Sequence, residues 1–279
     1  MKFVFIADYF SDEVPGGGEL NNEELIFLLK EETVKIKSSN VTLSFLHEHI
    51  DSKFIISNFI QLNNENKKFI ENKCQYIIYE HDHKYLINRN PAKYKNFKAP
   101  TEAIINFEFY KNAKAVLCQS NFHKNIIKKN LNLDNIVSLG GNLWSEDILK
   151  KIESYSNKNK KDCYSIMHSR IPHKNTIGAI NYCTKNKINY DLIGPCSYTE
   201  FLNRLSDNET FVFFPQTPET LSRVIVEARM MGMRVVTNSL VGASQEPWFK
   251  FKGKDLIEKM RSKRKDIPKK VMEVFKDEQ

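Results

Sequence analysis

The chain has 279 residues, 41% of them hydrophobic, which is enough for one large or two modest α/β cores. No stretch approaches the ~20 consecutive apolar residues that span a bilayer, and the opening MKFVFIADYF has too short an apolar run, too soon followed by acids, for a signal peptide. The net charge is +8 and uneven: residues 1–145 carry 18 Lys/Arg against 17 Asp/Glu, residues 146–279 carry 24 against 17, and residues 250–276 alone hold 11 basic and 4 acidic side chains. Cys74, Cys118, Cys163, Cys183 and Cys196 contain no C-x-x-C pair and sit mostly beside apolar runs. They read as buried thiols in a reducing, cytoplasmic compartment.

In chain order, Lys2–Asp8 reads as a buried strand. Gly16, Gly17 and Gly18 follow as a loop before a helix from about Glu19 to Lys35; consecutive glycines bring backbone N–H groups close to a ligand, and a helix N-terminus favours anions. Val41–Leu46 and Phe54–Phe59 read as strands and Asn63–Asn72 as a polar helix. Gln75–His81 is a strand ending in Glu80-His81-Asp82-His83. These are good metal ligands, but His81 and His83 would alternate faces on a continuing strand and no further His/Cys cluster supports them, so no metal site is assigned. Lys84–Pro100 is a long loop in which Lys84, Arg89, Lys93, Lys95 and Lys98 alternate with Tyr85, Tyr94 and Phe97. Such a loop suits an acceptor contact. Glu102–Lys111 reads as a helix, Ala115–Gln119 as a strand, and Ser120 as the N-cap of a helix through Leu131. Ile136–Leu139 is the next strand, and residues 146–162 form a linker helix and its tail.

Cys163–His168 opens a second set of elements. Arg170 and Lys174 follow it, a bidentate guanidinium and a compact ammonium suited to a diphosphate. Asn189–Gly194 and Phe211–Phe214 are strands. Pro215 and Pro218 break the latter, Glu219 lies in the loop, and Leu221, Val224, Ile225, Ala228 and Met231 recur at helical spacing. Glu227 stands in that helix, eight residues after Glu219. Arg234–Asn238 is a strand. The basic segment beyond it reads as one or two helices broken at Pro268, with a solvated face or an attraction to nucleic acid or an anionic membrane surface.

The stretch P-Q-T-P-E-T-L-S-R-V-I-V-E-A-R-M-M-G followed by MRVVTN resembles the motif of the large paired-glutamate family of retaining GT-B glycosyltransferases (glycosyl transferases group 1). The two glutamates, Ala228 and Gly232 match; Thr220, Leu221 and Ser222 stand where the family has its glycine-containing turn. Arg170 and Lys174 match the family's cationic pair, with Ser169 and Asn175 in place of its glycines. His81-Asp82 aligns with the family's histidine after a first-domain strand, and the Gly16–Gly18 loop with its first glycine loop. NIVSLGGNLW and LVGASQE resemble two further segments.

This resemblance implies an α/β chain of GT-B type, two Rossmann-like domains facing across a cleft: residues 1–145 on the acceptor side, 146–247 for the donor, and 248–279 a basic helical segment crossing back. The second domain is trimmed by one βα unit. The implied reaction moves a sugar from a UDP-, GDP- or ADP-sugar to a hydroxyl, with retention and without metal or other cofactor. Its catalytic candidates are His81, Glu219, Arg170 and Lys174. Donor contacts fall to Gly16, Gly17, Gly18, Arg170, Lys174, Glu219, Thr220, Leu221, Ser222 and Glu227, the last holding the ribose hydroxyls. Asp82, His83, Arg89 and Lys93 are acceptor-side candidates. The acceptor stays open between a glycan, a lipid-linked sugar, bringing the enzyme to a membrane surface, and a hydroxymethylated DNA base. A non-catalytic sugar-nucleotide or nucleic-acid binding protein is the rival from another class.

Overall fold

The computed structural model describes residues 1–276. They divide into two compact units, one of Met1–Leu143 with the segment from Arg264 onward, the other of Trp144–Lys263.

The first unit is built on a six-stranded parallel sheet in the order β2-β1-β3-β4-β5-β6. Its strands are β1 (Phe3–Ala7), β2 (Thr33–Lys37), β3 (Lys53–Ile56), β4 (Gln75–Glu80), β5 (Val116–Cys118) and β6 (Ile136–Ser138). The central strands are apolar runs without alternation because both faces are covered. Val4, Ile6, Phe54 and Ile56 face one core; Phe3, Phe5, Ile55 and Ile77 face the other. α1 (Gly17–Leu29) and the end of α10 (Gly253–Phe275) pack on the second face, where Ile267, Val271 and Phe275 recur every four residues and Phe275 meets Phe3 edge-on. The basic tail is therefore an amphipathic helix. Among its cations, Arg264 pairs with Glu24, Arg261 with Glu146 and Glu258, and Lys269 with Glu273.

The second unit has four parallel strands in the order β10-β9-β7-β8: β7 (Lys161–Met167), β8 (Tyr190–Ile193), β9 (Asn208–Phe213) and β10 (Arg234–Thr237). Its core gathers Leu149 and Ile152 of α6 (Glu146–Ser156), Leu202 and Leu205 of α8 (Tyr198–Leu205), and Ile225 and Val226 of α9 (Arg223–Met230). α7 (Thr176–Lys185) covers the other face through Ala179 and Cys183. No helix among the described residues is long and apolar enough to cross a membrane.

In each sheet the chain first builds to one side of a strand and then to the other. The reversal lies between β1 and β3 in the first unit and between β7 and β9 in the second. Ligands of open parallel sheets bind at the carboxyl ends of the strands flanking such a reversal.

Several elements differ from the sequence expectation. The helix expected over 19–35 starts at Gly17 and stops at Leu29, with Lys30 left-handed at φ 55. Thr33–Lys37 then pairs with β1 as an edge strand, as its β-branched residues favour. Residues 41–46, expected as a strand, enter α2 (Leu43–Glu48), because the Thr42 hydroxyl caps it by accepting from the Phe45 N–H at 3.1 Å. The helix expected over 102–111 is a turn at Thr101–Ala103 and a short α4 (Phe107–Lys111), since Ile104 bridges Leu86 and Asn106 is left-handed. The 84–100 loop is less polar than it reads: Lys84, Tyr85 and Leu86 are buried. Pro268 lies inside α10 without ending it, its ring costing one backbone hydrogen bond while the buried face on either side holds. α3 (Asn64–Lys73) and α5 (Asn121–Leu131) fall where expected, the latter capped by the Ser120 hydroxyl.

The first sheet's carboxyl edge is held by buried charge. Asp8, just after β1, accepts from the Ser38 hydroxyl and from the N–H groups of Ile60 and Gln61 at 3.1 Å each. Glu80, fully buried at the end of β4, accepts from Lys84 Nζ, from the Tyr110 hydroxyl and from the Asp82 N–H at 2.8 Å. Burial pushes its carboxyl up, and the Lys84 ammonium draws it back. Removing one partner leaves the other charge buried and alone. Glu80→Ala is expected to cost about 3–5 kcal/mol in urea unfolding, with Glu80→Gln costing less; a loss under about 1 kcal/mol for Glu80→Ala would show that Lys84 escapes to solvent.

Candidate functional site

In the second unit the candidate residues gather at the β7/β9 reversal. Ser169 and Arg170 follow β7, and a single 3₁₀ turn, Pro172–Lys174, leads into α7. Lys174 Nζ lies 2.7 Å from Glu219 Oε1, an ion pair joining the two loops, with the lysine side chain 25% and the carboxylate 13% exposed. The Glu219 backbone is clamped in turn: its N–H donates to the Leu240 carbonyl at 2.8 Å, and its carbonyl accepts from Gly242 at 2.9 Å. Arg170 is exposed and has no ion-pair partner among the described residues, so its fork of donors faces solvent.

Of the motif positions that lack glycine, Asn175 and Ser222 keep a glycine-like backbone, whereas Ser169 and Thr220 have no positive φ. Asn175 has φ 55 and caps α7, its side chain accepting from the Gly178 N–H at 3.2 Å and donating to the Phe214 carbonyl at 2.9 Å. Ser222 has φ 72, ψ 87 at the start of α9. Asparagine visits the left-handed region at small cost; serine does so less readily. Ser222 is 8% exposed and its hydroxyl has no hydrogen-bond partner. Leu221 turns into the core, its carbonyl accepting from Ala243 at 3.0 Å, while Thr220 remains half-buried beside Glu219.

Glu227 sits deeper than its expected ribose role suggests, at 2% exposure. Its Oε1 accepts from Trp144 Nε1 at 2.9 Å and from the Tyr198 hydroxyl at 2.5 Å. Arg223, one turn earlier, lies 3.7 Å from the same oxygen and stacks over the Trp144 ring at 4.3 Å. Any ribose contact by Glu227 would have to use Oε2. Trp144 and Tyr198 are not among the residues the sequence singles out; Arg223 belongs to the Thr220–Arg223 stretch where the motif departs from the family, and its spacing four residues before Glu227 on one helix is the legible hint of their contact.

In the first unit, Gly16 is the N-cap of α1, and Gly17 and Gly18 form its first turn rather than a free loop. None of the three has positive φ. Gly18 lies against the His81 ring, which an added Cβ would meet at 3.6 Å, an ordinary van der Waals contact. His81 follows β4, half-buried, and its Nε2 lies 2.6 Å from Asn22 Oδ1. That oxygen also accepts from the Ser57 hydroxyl at 3.0 Å, so the Asn22 amide links His81 to the chain after β3. Asn21, beside it, joins the Tyr79 hydroxyl at 2.7 Å and the Leu143 N–H at 2.7 Å. Two adjacent buried asparagines on one helix thus anchor the glycine turn to β4 and to the chain beyond β6.

His83 and Asp82 part company. His83, an acceptor-side candidate, is 2% exposed and packs edge-on against His123; burial holds its imidazole well below the usual range. It is a core residue, not a surface contact. His123 accepts from the Gln119 N–H and donates through Nε2 to the Asp82 carbonyl at 2.9 Å, and burial holds its pKa down to about 3. Asp82 stays half-exposed and pairs with Arg89 at 3.2 Å, while Lys93 is exposed. Among the described residues no group of three or more His, Cys, Asp or Glu side chains is placed to hold a metal ion.

No family model and no curated protein matches the chain. Solved structures do. HepE from Anabaena, crystallised with UDP and glucose, matches with a TM-score of 0.52 over 98% of this chain and 92% of that one, at 12% identity. Its complex with UDP alone matches at 0.53, over 98% and 94%, at 13% identity. Sucrose-phosphate synthase from Thermosynechococcus elongatus matches at 0.55, over 99% and 95%, at 9% identity. At such identities the likeness concerns the fold: two Rossmann-like parallel α/β units of the GT-B class.

The strained, orphaned serine gives a direct test. Ser222→Gly removes both the left-handed penalty and the unpaired buried hydroxyl and loses no capping bond, so it is expected to raise stability by about 1 kcal/mol in chemical denaturation. A destabilised variant would mean that the hydroxyl is satisfied within the protein.

Proposed function

We propose that this protein is a glycosyltransferase that moves a sugar from a nucleotide-sugar donor to a hydroxyl acceptor. The observation that carries the reading is the Lys174–Glu219 pair at the β7/β9 reversal, with Arg170 exposed beside it. An ammonium and a guanidinium at such an edge suit a diphosphate leaving group, whose charge grows as the sugar departs. Glu219, held by its backbone, is the acceptor of sugar hydroxyl hydrogens. Lys174 turns from Glu219 toward the phosphates, or is shared between them. The left-handed Ser222 keeps the turn at the start of α9 in the form a phosphate approach needs, and its unpartnered hydroxyl is an added donor there. Glu227 acts chiefly by fixing Trp144 and Tyr198.

In the first unit, His81, held through Nε2 by Asn22, and the Gly16–Gly18 turn are assigned to the transferred sugar. Retention of configuration and independence of metal belong to the same proposal and rest on the paired-glutamate resemblance. UDP is the preferred nucleotide, in keeping with the UDP bound by the HepE structures. Five free cysteines accord with a reducing, cytoplasmic setting.

A thermal-shift screen of UDP, GDP and ADP and their sugars tests this. UDP at a hundred times its Kd should stabilise the protein by about 2.7 kcal/mol. Arg170→Ala and Lys174→Ala should each weaken that binding about tenfold or more, with little change in the melting of the free protein, since each loses a charged contact to phosphate. Failure of every nucleotide to bind, or full donor turnover by the Lys174→Ala variant, would contradict the assignment.

A further inference from the structure

The first unit contains a feature that the donor chemistry does not use. A cavity of 490 Å³ opens beside the β1/β3 reversal, between the residues that follow β3 and the loop that follows β4. This is within the size range of small-ligand sites. Its floor is Phe59, 1% exposed, with Lys67 and Lys84 each 5.5 Å from the ring centre. Its rim is aliphatic: Ile60, Ile87 and Ile105 are 53%, 65% and 38% exposed. Single exposed isoleucines need no explanation, but three around one hollow form a patch.

The cations of the cavity differ in what they lack. Lys84 is neutralised by Glu80, and Arg89 is paired with Asp82 at 3.2 Å. Lys67 has no carboxylate within 4.0 Å among the described residues; its hydrogen bond goes to Asn106 Oδ1 at 3.1 Å, one of three that an ammonium can donate. Asp8, already accepting from three groups, and Glu71, one turn along α3, attract it only through space. Burial lowers the lysine's pKa, the mark of a charge that the protein itself does not compensate. The same lysine, with Asn64 and Asn106, also lines a neighbouring hollow of 400 Å³.

We propose that this cavity is the acceptor site and that it takes an anionic amphiphile: a phosphate ester held by Lys67 and Arg89, with its aliphatic chain laid over Ile60, Ile87 and Ile105. An unpaired half-buried ammonium beside a guanidinium selects the phosphate, and branched aliphatic side chains select a hydrocarbon. A nucleic-acid strand would offer the same phosphate, but its bases need aromatic platforms, and the rim provides none. The Lys84–Asn58–Glu19 contacts, at 3.3 and 3.5 Å, run from this cavity to the first turn of α1, beside His81. The word acceptor rests on the glycosyltransferase reading; the binding site does not.

The test is calorimetric titration of the whole protein with decyl phosphate below its micelle concentration. Inorganic phosphate, the uncharged decyl maltoside and a single-stranded oligonucleotide are titrated in parallel. Decyl phosphate should bind tightest, Lys67→Met should weaken it about tenfold, Lys67→Arg should restore it, and Ile87→Asp should weaken it without altering the response to inorganic phosphate. Equal binding of decyl phosphate and inorganic phosphate, tighter binding of the oligonucleotide, or indifference to Lys67→Met would overturn the proposal. Decyl phosphate binding by a protein that binds no nucleotide would instead leave this site standing and remove the transferase reading.

Discussion

Both sheets are parallel throughout, and that constraint organises everything else. Parallel strands end at a common edge, and each sheet reverses its strand order beside one strand, β1 in the first unit and β7 in the second. A reversal sends the two flanking connections to opposite faces and leaves the edge between them open. Asp8, the Gly16–Gly18 turn, Asn22 and His81 lie at the first such edge, and Arg170, Lys174 and Glu219 at the second. Burial of the strands on both faces supplies rigidity, so the loops at the edges need few bonds of their own to hold their geometry.

The second edge illustrates how a motif survives the loss of its typical residues. Glycine is favoured where φ is positive because it has no Cβ, not because the turn requires the atom count of glycine. At Asn175 the local amide bonds supply what freedom would have given, capping α7 and gripping the strand end at Phe214. At Ser222 no such compensation is made, and the strain stays in the turn. Backbone strain together with an unpartnered buried hydroxyl recurs at functional sites, and the donor role proposed for this turn draws on that.

Much of this was legible before any coordinates. The central strands announce themselves as uninterrupted apolar runs, and Ser120 marks its helix as a cap should. The cation pair and Glu219 were placed on the right loops because strand ends could be located. What failed had local causes. Thr33–Lys37 is an edge strand whose lysines hide its pairing, and Val41–Leu46 alternates well enough to imitate a strand until Thr42 caps a helix. Glu227, His83 and the asparagines of α1 depend on tertiary burial. No spacing along the chain tells that one glutamate oxygen will serve Trp144 and Tyr198, residues far apart in sequence. The cavity over Phe59 escaped for the same reason: its walls come from the segments after β3 and β4, from the start of α3 and from the residues before α4.

The edge at β7 and β9 is proposed to hold a diphosphate despite its altered turns. Parallel calorimetric titrations with UDP and with uridine test it most directly, because the two ligands differ only in the phosphates. The account predicts that UDP binds at least about a hundredfold tighter, two charge-assisted contacts being worth roughly 1.4 kcal/mol or more each, and that the difference shrinks as salt rises. Equal affinities for UDP and uridine would contradict it.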